Sequence, residues 1–165
     1  MQDTISRYLA NLSIANDRNA LDPVIKGIAD RLSSQIFNTG GLAIKAGGSA
    51  LAKTVNTVYA TADCIYVALS AADMPALTGL SIGANKFNVA VFYVDSAGTT
   101  SVRFGTEGGT AAAVKFPDTP TGKAIIGFLM ITHSSAFTGG TTALDTATTV
   151  YVNTMGAFDP SIKLA

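Results

Sequence analysis

The sequence predicts a mainly β protein: an antiparallel β-sandwich or jelly-roll-like module preceded by one or two short N-terminal α-helices. Three observations carry this. Everything after Thr39-Gly40-Gly41 is rich in β-branched residues and punctuated by glycine. Short apolar or alternating runs recur there at intervals that suit strands joined by turns. Residues 1–37, by contrast, hold eight charged side chains, no glycine before Gly27, and a helical apolar period.

A first helix can start at an Asp3 cap, after which Ile5, Tyr8, Leu9 and Leu12 fall on one stripe. A second is expected to open with Asp22 as N-cap and Pro23 at the first helical position, where its missing N–H is harmless. Val24, Ile25, Ile28, Leu32 and Ile36 then share a face, and the helix should stop near Asn38, ahead of Gly40-Gly41. Helices this short are marginal alone in water, so their stripes must dock on an edge of their own β domain or on a neighbouring subunit. The stripe Ile5, Tyr8, Leu9, Leu12 is the first choice of partner-binding surface, because an amphipathic helix laid in a groove is a common recognition mode.

The expected strands are 42–46, 55–61, 64–70, 87–94, 101–106, 112–116, 123–132 and 148–153. Runs 87–94 and 125–131 are apolar on both faces and should lie centrally. Asp95-Ser96-Ala97-Gly98 reads as a hairpin connection, with Gly98 free to take a positive φ. No crossover-length helix separates the later strands, so the order should be antiparallel. The domain plan is a helical docking or oligomerisation arm over 1–38, a β-sandwich domain over 39–160 and a tail over 161–165.

Lys plus Arg and Asp plus Glu balance at 11 each, which provides no basic field for nucleic acid or an anionic membrane. Charged residues are 13% of the chain, about half the usual share, so copies repel one another weakly and assembly is favoured. One cysteine, Cys64, excludes an internal disulfide. The opening MQDTISRYLANLS lacks the apolar run of a secretory leader, and no stretch approaches the ~20 apolar residues that span a bilayer. Synthesis in a cytoplasm, without direct contact to membrane or nucleic acid, is expected.

The search for chemistry finds little. Gly47-Gly48-Ser49-Ala50-Leu51-Ala52-Lys53-Thr54 approaches a phosphate-binding loop, but Ala52 stands where that motif needs glycine, and strand-like residues follow where it needs a helix. A Gly-rich hairpin is the better reading. His133 is the single histidine, so no His pair or His-Cys cluster can hold zinc, a triad would have to be built on one imidazole, and a dyad with Cys64 is the remaining nucleophilic option. Glu107 is the single glutamate, while Asp73, Asp95, Asp118, Asp145 and Asp159 stand beside turns, where Asx side chains bond their own backbone. No carboxylate pair for glycoside hydrolysis and no calcium-loop spacing is evident. The glycine pairs at 40–41, 47–48, 108–109 and 139–140 read as loop formers. No catalytic residue, cofactor or metal is expected.

From Thr39-Gly40-Gly41-Leu42-Ala43-Ile44-Lys45-Ala46-Gly47-Gly48-Ser49 onward, the sequence resembles small tailed-phage virion proteins encoded near the major capsid protein. The likeness continues through 87–98, Gly105-Thr106-Glu107-Gly108, Lys123-Ala124-Ile125-Ile126-Gly127-Phe128, 137–145 and 151–160. Its segments are specific in combination, and it covers most of 39–160. The role it implies is decoration or cementing of a bacteriophage capsid, and it brings no catalytic residues. The expected protein is thus a non-enzymatic viral structural protein of the virion, assembled in the host cytoplasm. Its expected partners are its own copies, as a homo-oligomer (dimer or trimer), and the major capsid protein or another virion protein. The rivals are a tail, baseplate or head-fibre component with receptor contact, a small hydrolase, and a carbohydrate-binding module, against which the absence of Trp weighs.

Overall fold

The structure, a computed structural model, describes residues 15–158. A single helix, α1 (Ala15–Ser33), leads into strands β1 (Gln35–Ile36), β2 (Leu42–Ile44), β3 (Ala52–Thr54), β4 (Val58–Ala62) and β5 (Ile65–Leu69). Then follow β6 (Ser81–Ile82), β7 (Phe87–Val94), β8 (Thr100–Phe104), a 3₁₀ turn at Ala111–Ala113, β9 (Ala124–Thr132), β10 (Phe137–Thr138) and β11 (Thr148–Asn153). The fold is mainly β with every strand pairing antiparallel, as the sequence predicts.

The centre is a four-stranded sheet in the order β11-β9-β7-β8. Its inner strands are the two runs that are apolar on both faces, and Asn88 to Val94 is buried without interruption. Alternation sorts their side chains: Ala90, Phe92 and Val94 face a main core, while Val89, Val91 and Tyr93 face a second, smaller one. A register shift against β9 at Phe92/Tyr93 inserts one residue there, so both Ile126 and Leu129 reach the main core despite their odd spacing. The main core is closed by β1-β4-β5, β2-β3 and β6-β10, through Ile36, Val58, Val67, Leu42, Ile82 and Phe137. The second core is closed by Val114 and Phe116 from the 105–121 connection, with Phe116 edge-on to Phe128 at 5.0 Å.

The β7–β8 hairpin forms as expected: Asp95 Oδ1 accepts the N–H groups of Ala97 and Thr99, and Gly98 sits at φ +75°. Residues 47–48 lie in the β2–β3 hairpin, again as expected. Other elements differ. Run 55–61 is broken, because the carbonyl of Gly40 accepts the N–H groups of both Val55 and Asn56 and turns the chain between β3 and β4. Run 112–116 yields the 3₁₀ turn and a single bridge, Thr106 to Lys115.

The helix also departs from expectation. Asp22 and Pro23 do not begin it; α1 runs through them, giving up the one interior hydrogen bond that Pro23 cannot donate. It ends at Ser33, not near Asn38. The Ser33 carbonyl is taken by the N–H of Cys64, Ser34 Oγ accepts from the N–H of Asp63, and Gln35 and Ile36 turn extended to pair with Thr61 and Ala60.

Candidate functional site

Two clusters of large apolar side chains stay in solvent. The first is on α1, where Ile25, Ile28 and Leu32 are 51%, 53% and 62% exposed. These are stripe residues from the sequence, and they do not cover an edge of their own β body. Ile36, the last residue of that stripe, has left the helix for β1 and lies in the main core. What ties α1 down is polar and on its other side. Asp30 Oδ1 accepts the N–H of Gly122 at 2.9 Å, and at 100° per residue Asp30 lies roughly 160° around the helix from the centre of the stripe. With Ser33 and Ser34 also bonded to the 63–64 turn, the last turn is anchored by hydrogen bonds and the apolar stripe faces away.

The second cluster is the outer face of β1-β4-β5. Alternation puts Val58, Ala60 and Val67 inward, and leaves Tyr59 and Tyr66 outward with Phe37 just beyond β1. Phe37 donates its N–H to the Tyr59 carbonyl, and the rings of Tyr59 and Tyr66 stack at 6.4 Å with planes 14° apart. Asn38 locks the adjoining turn, its Nδ2 donating to the Thr57 carbonyl and its Oδ1 accepting from the N–H of Tyr59, each at 2.7 Å. This face was not anticipated. Its signal was present in the alternation 58–62 and 65–69, but it becomes readable only when the two runs are set in register.

The preferred partner-binding residues Ile5, Tyr8, Leu9 and Leu12 lie outside the described residues. The residues weighed for chemistry are dispersed. Gly122 packs beside Asp63, next to Cys64, just before β9, while His133 follows its far end. Nine extended residues put these sites about 30 Å apart, so a His133–Cys64 dyad does not form. His133 Nδ1 instead accepts the N–H of Ser135 within its own turn, beside a shallow polar hollow lined by Asn85, Thr132, Ser134, Thr146 and Thr148. The phosphate-loop lookalike is blocked by charge: the Gly48 N–H donates to Asp145 Oδ2 at 2.7 Å, placing a carboxylate where a phosphate would sit. Lys53 and Thr54 lie on β3, and Thr54 Oγ1 bonds the backbone of Ala72.

Glu107 braces a loop by accepting from the N–H of Gly83. Asp95 makes the local Asx turn expected of it, but Asp73 pairs with Lys45 at 2.5 Å and Asp145 reaches across to the β2–β3 loop. No group of three or more His, Cys, Asp or Glu side chains converges as a metal site among the described residues. No helix among them is long and apolar enough to cross a membrane. Comparison with protein families, with curated proteins and with solved structures finds no match to this chain.

Proposed function

We propose that this chain is a structural component of a tailed-phage virion, a capsid decoration or cement protein that stabilises the head shell through contact with its own copies and with the major capsid protein. The observation that carries the reading is the placement of apolar side chains. A chain with 13% charged residues leaves Ile25, Ile28 and Leu32 on α1, and Phe37, Tyr59 and Tyr66 on the adjacent sheet, about half exposed. Clustered exposed apolar side chains of this kind mark a contact surface more often than an accident of folding. The resemblance over 39–160 supplies the setting. On a repeating shell, many modest contacts add to high avidity, so neither a deep pocket nor strong charge is needed.

The test is sedimentation with expanded, empty heads of the phage that carries the gene. Co-sedimentation that saturates at a fixed ratio of this chain to capsid protein, and falls when Tyr59 and Tyr66 are both changed to Ser, is the expected result. Full-length protein that stays in the supernatant at every concentration overturns the reading.

A further inference from the structure

We infer that the free edge of β5 is a strand-pairing surface, and that its occupant is the β5 strand of a second copy of this chain, set antiparallel about a two-fold axis at Val67. The inference rests on the assembly reading for its setting and deepens it by naming the strand and the register.

The geometry of the β4–β5 hairpin decides which backbone groups are free. Asp63 and Cys64, at φ +52° and +63°, form a two-residue turn inside the pair Ala62 and Ile65, the arrangement in which that flanking pair is hydrogen-bonded. Bonded and non-bonded pairs then alternate, so Ile65, Val67 and Leu69 direct their N–H and C=O groups at β4. The Tyr59 carbonyl, taken by the Phe37 N–H on the other side of β4, fixes the same phase. Tyr66 and Ala68 therefore turn their N–H and C=O groups away from β4, and no strand or loop among the described residues takes them.

Other edges are closed or guarded. The outer side of β1 bridges to Gly156, that of β3 bonds Ala72 and Met74, β8 carries Arg103, and β11 has β2 against it, with the Leu42 N–H on Asn153 Oδ1. Strand β5, Ile65-Tyr66-Val67-Ala68-Leu69, has no charge, no proline and no bulge, the devices that keep an exposed edge from pairing.

Such an edge accepts an extended backbone, and its side chains favour another β5. With the two-fold at Val67, Tyr66 stands opposite the second copy's Ala68 and Ala68 opposite its Tyr66, so both bonded pairs form and each large outer ring faces a methyl group. On the inner face Val67 meets its counterpart and Ile65 meets Leu69, at the non-bonded positions where side chains come closest. Ile65 is an independent sign. It shares the inward side of the hairpin with the buried Ala62 and Val67, yet it is 52% exposed, because its own body leaves it uncovered. Asp63 falls opposite Ala71, so no like charges meet. Main-chain hydrogen bonds carry this mode of recognition, which does not depend on a large apolar area.

Amide exchange on the full-length protein reads the pairing directly. Between low and high micromolar protein, exchange at Tyr66 and Ala68 should slow by about threefold or more, while Val67, already bonded to β4, changes little. Ala68→Lys, at an exposed position, should remove the slowing and leave the rest of the exchange pattern intact. In a Cys64→Ser background, a mixture of Tyr66→Cys and Ala68→Cys proteins should cross-link under mild oxidation about fivefold more than either alone, because only the mixed pair comes within disulfide reach. Exchange at Tyr66 and Ala68 that is indifferent to concentration overturns the inference, as does equal cross-linking of the single variants. Slowing that appears only when empty heads are added assigns the edge to the capsid protein and also overturns it. Head binding without strand pairing would sink this inference and leave the proposed function standing. Strand pairing without head binding would do the reverse.

Discussion

The strand pair β7–β9 and the stripe of the helix α1 both present large apolar side chains, and the chain treats them in opposite ways. Phe92, Val91, Ile126 and Leu129 are fully enclosed, layered between two cores, while Ile25, Ile28 and Leu32 face water. The difference arises from what each has nearby. β7 and β9 sit between β8 and β11 in one sheet, so each has a strand on both sides and both faces have a lid. Among the described residues, α1 is held at its C-terminal end by hydrogen bonds through Asp30 and Ser33, and no strand lies along its stripe to cover it. Hydrophobicity therefore specifies that a segment must be covered, and topology specifies by whom.

The sharpest way to break this comparison is truncation of one side chain from each region. Phe92→Ala should destabilise by about 3–5 kcal/mol, the range for emptying an aromatic site in a closed core. That is a large fraction of the roughly 5–15 kcal/mol that holds an ordinary domain. Ile28→Ala, measured by urea denaturation at low micromolar protein, should change stability by no more than about 0.5 kcal/mol. Several kcal/mol lost from Ile28→Ala in the monomer would mean that α1 is buried on its own body.

A smaller effect probes how closely the core strands are fitted. Gly127 lies in β9 opposite Asn153, and a Cβ there would stand 2.4 Å from the Val152 carbonyl oxygen and 2.6 Å from Leu42 Cδ1. Backbone cannot yield as a flexible side chain would, so Gly127→Ala should destabilise by about 1–3 kcal/mol. It should also loosen β2, whose Leu42 N–H donates to Asn153 Oδ1 at 2.8 Å. Faster amide exchange at Leu42 than in the parent protein is the specific sign; unchanged exchange would show that the strain is absorbed elsewhere.

These outcomes also mark what could be read in advance. Strands β7 and β11 match their sequence runs end to end, because long β-branched runs bounded by turn residues are a local signal. β1, β3, β6 and β10 are two or three residues long and were invisible. Ser81–Ile82 becomes a strand only because Phe137–Thr138 arrives beside it, a pairing that no local pattern records. The stripe residues Ile25, Ile28 and Leu32 were legible, but not their exposure, since that depends on Asp30 finding the Gly122 N–H far along the chain. Pro23 misled for a similar reason: its preference for a first turn is a local bias, and a helix already under way continued through it.

Tyr151 tests the middle ground between the two regions, being half-buried on β11 against the main core. Burial raises its phenol above the ordinary value of 10.0, and the nearby Asp145 carboxylate raises it further. The folded state thus favours the neutral ring. Its contribution to stability is complete below pH 10.0, where the unfolded chain is also neutral, and is lost as pH climbs from there through the folded pKa. Alkaline denaturation should accordingly be shallower in Tyr151→Phe than in the parent. Asp145→Asn should fall between them, since it removes the charge but leaves the burial, and an asparagine oxygen can still accept from Gly48. If the alkaline limb is identical in all three proteins, Tyr151 is as open to water as Ile28, and the boundary between the enclosed and the exposed parts of the molecule lies inside β11.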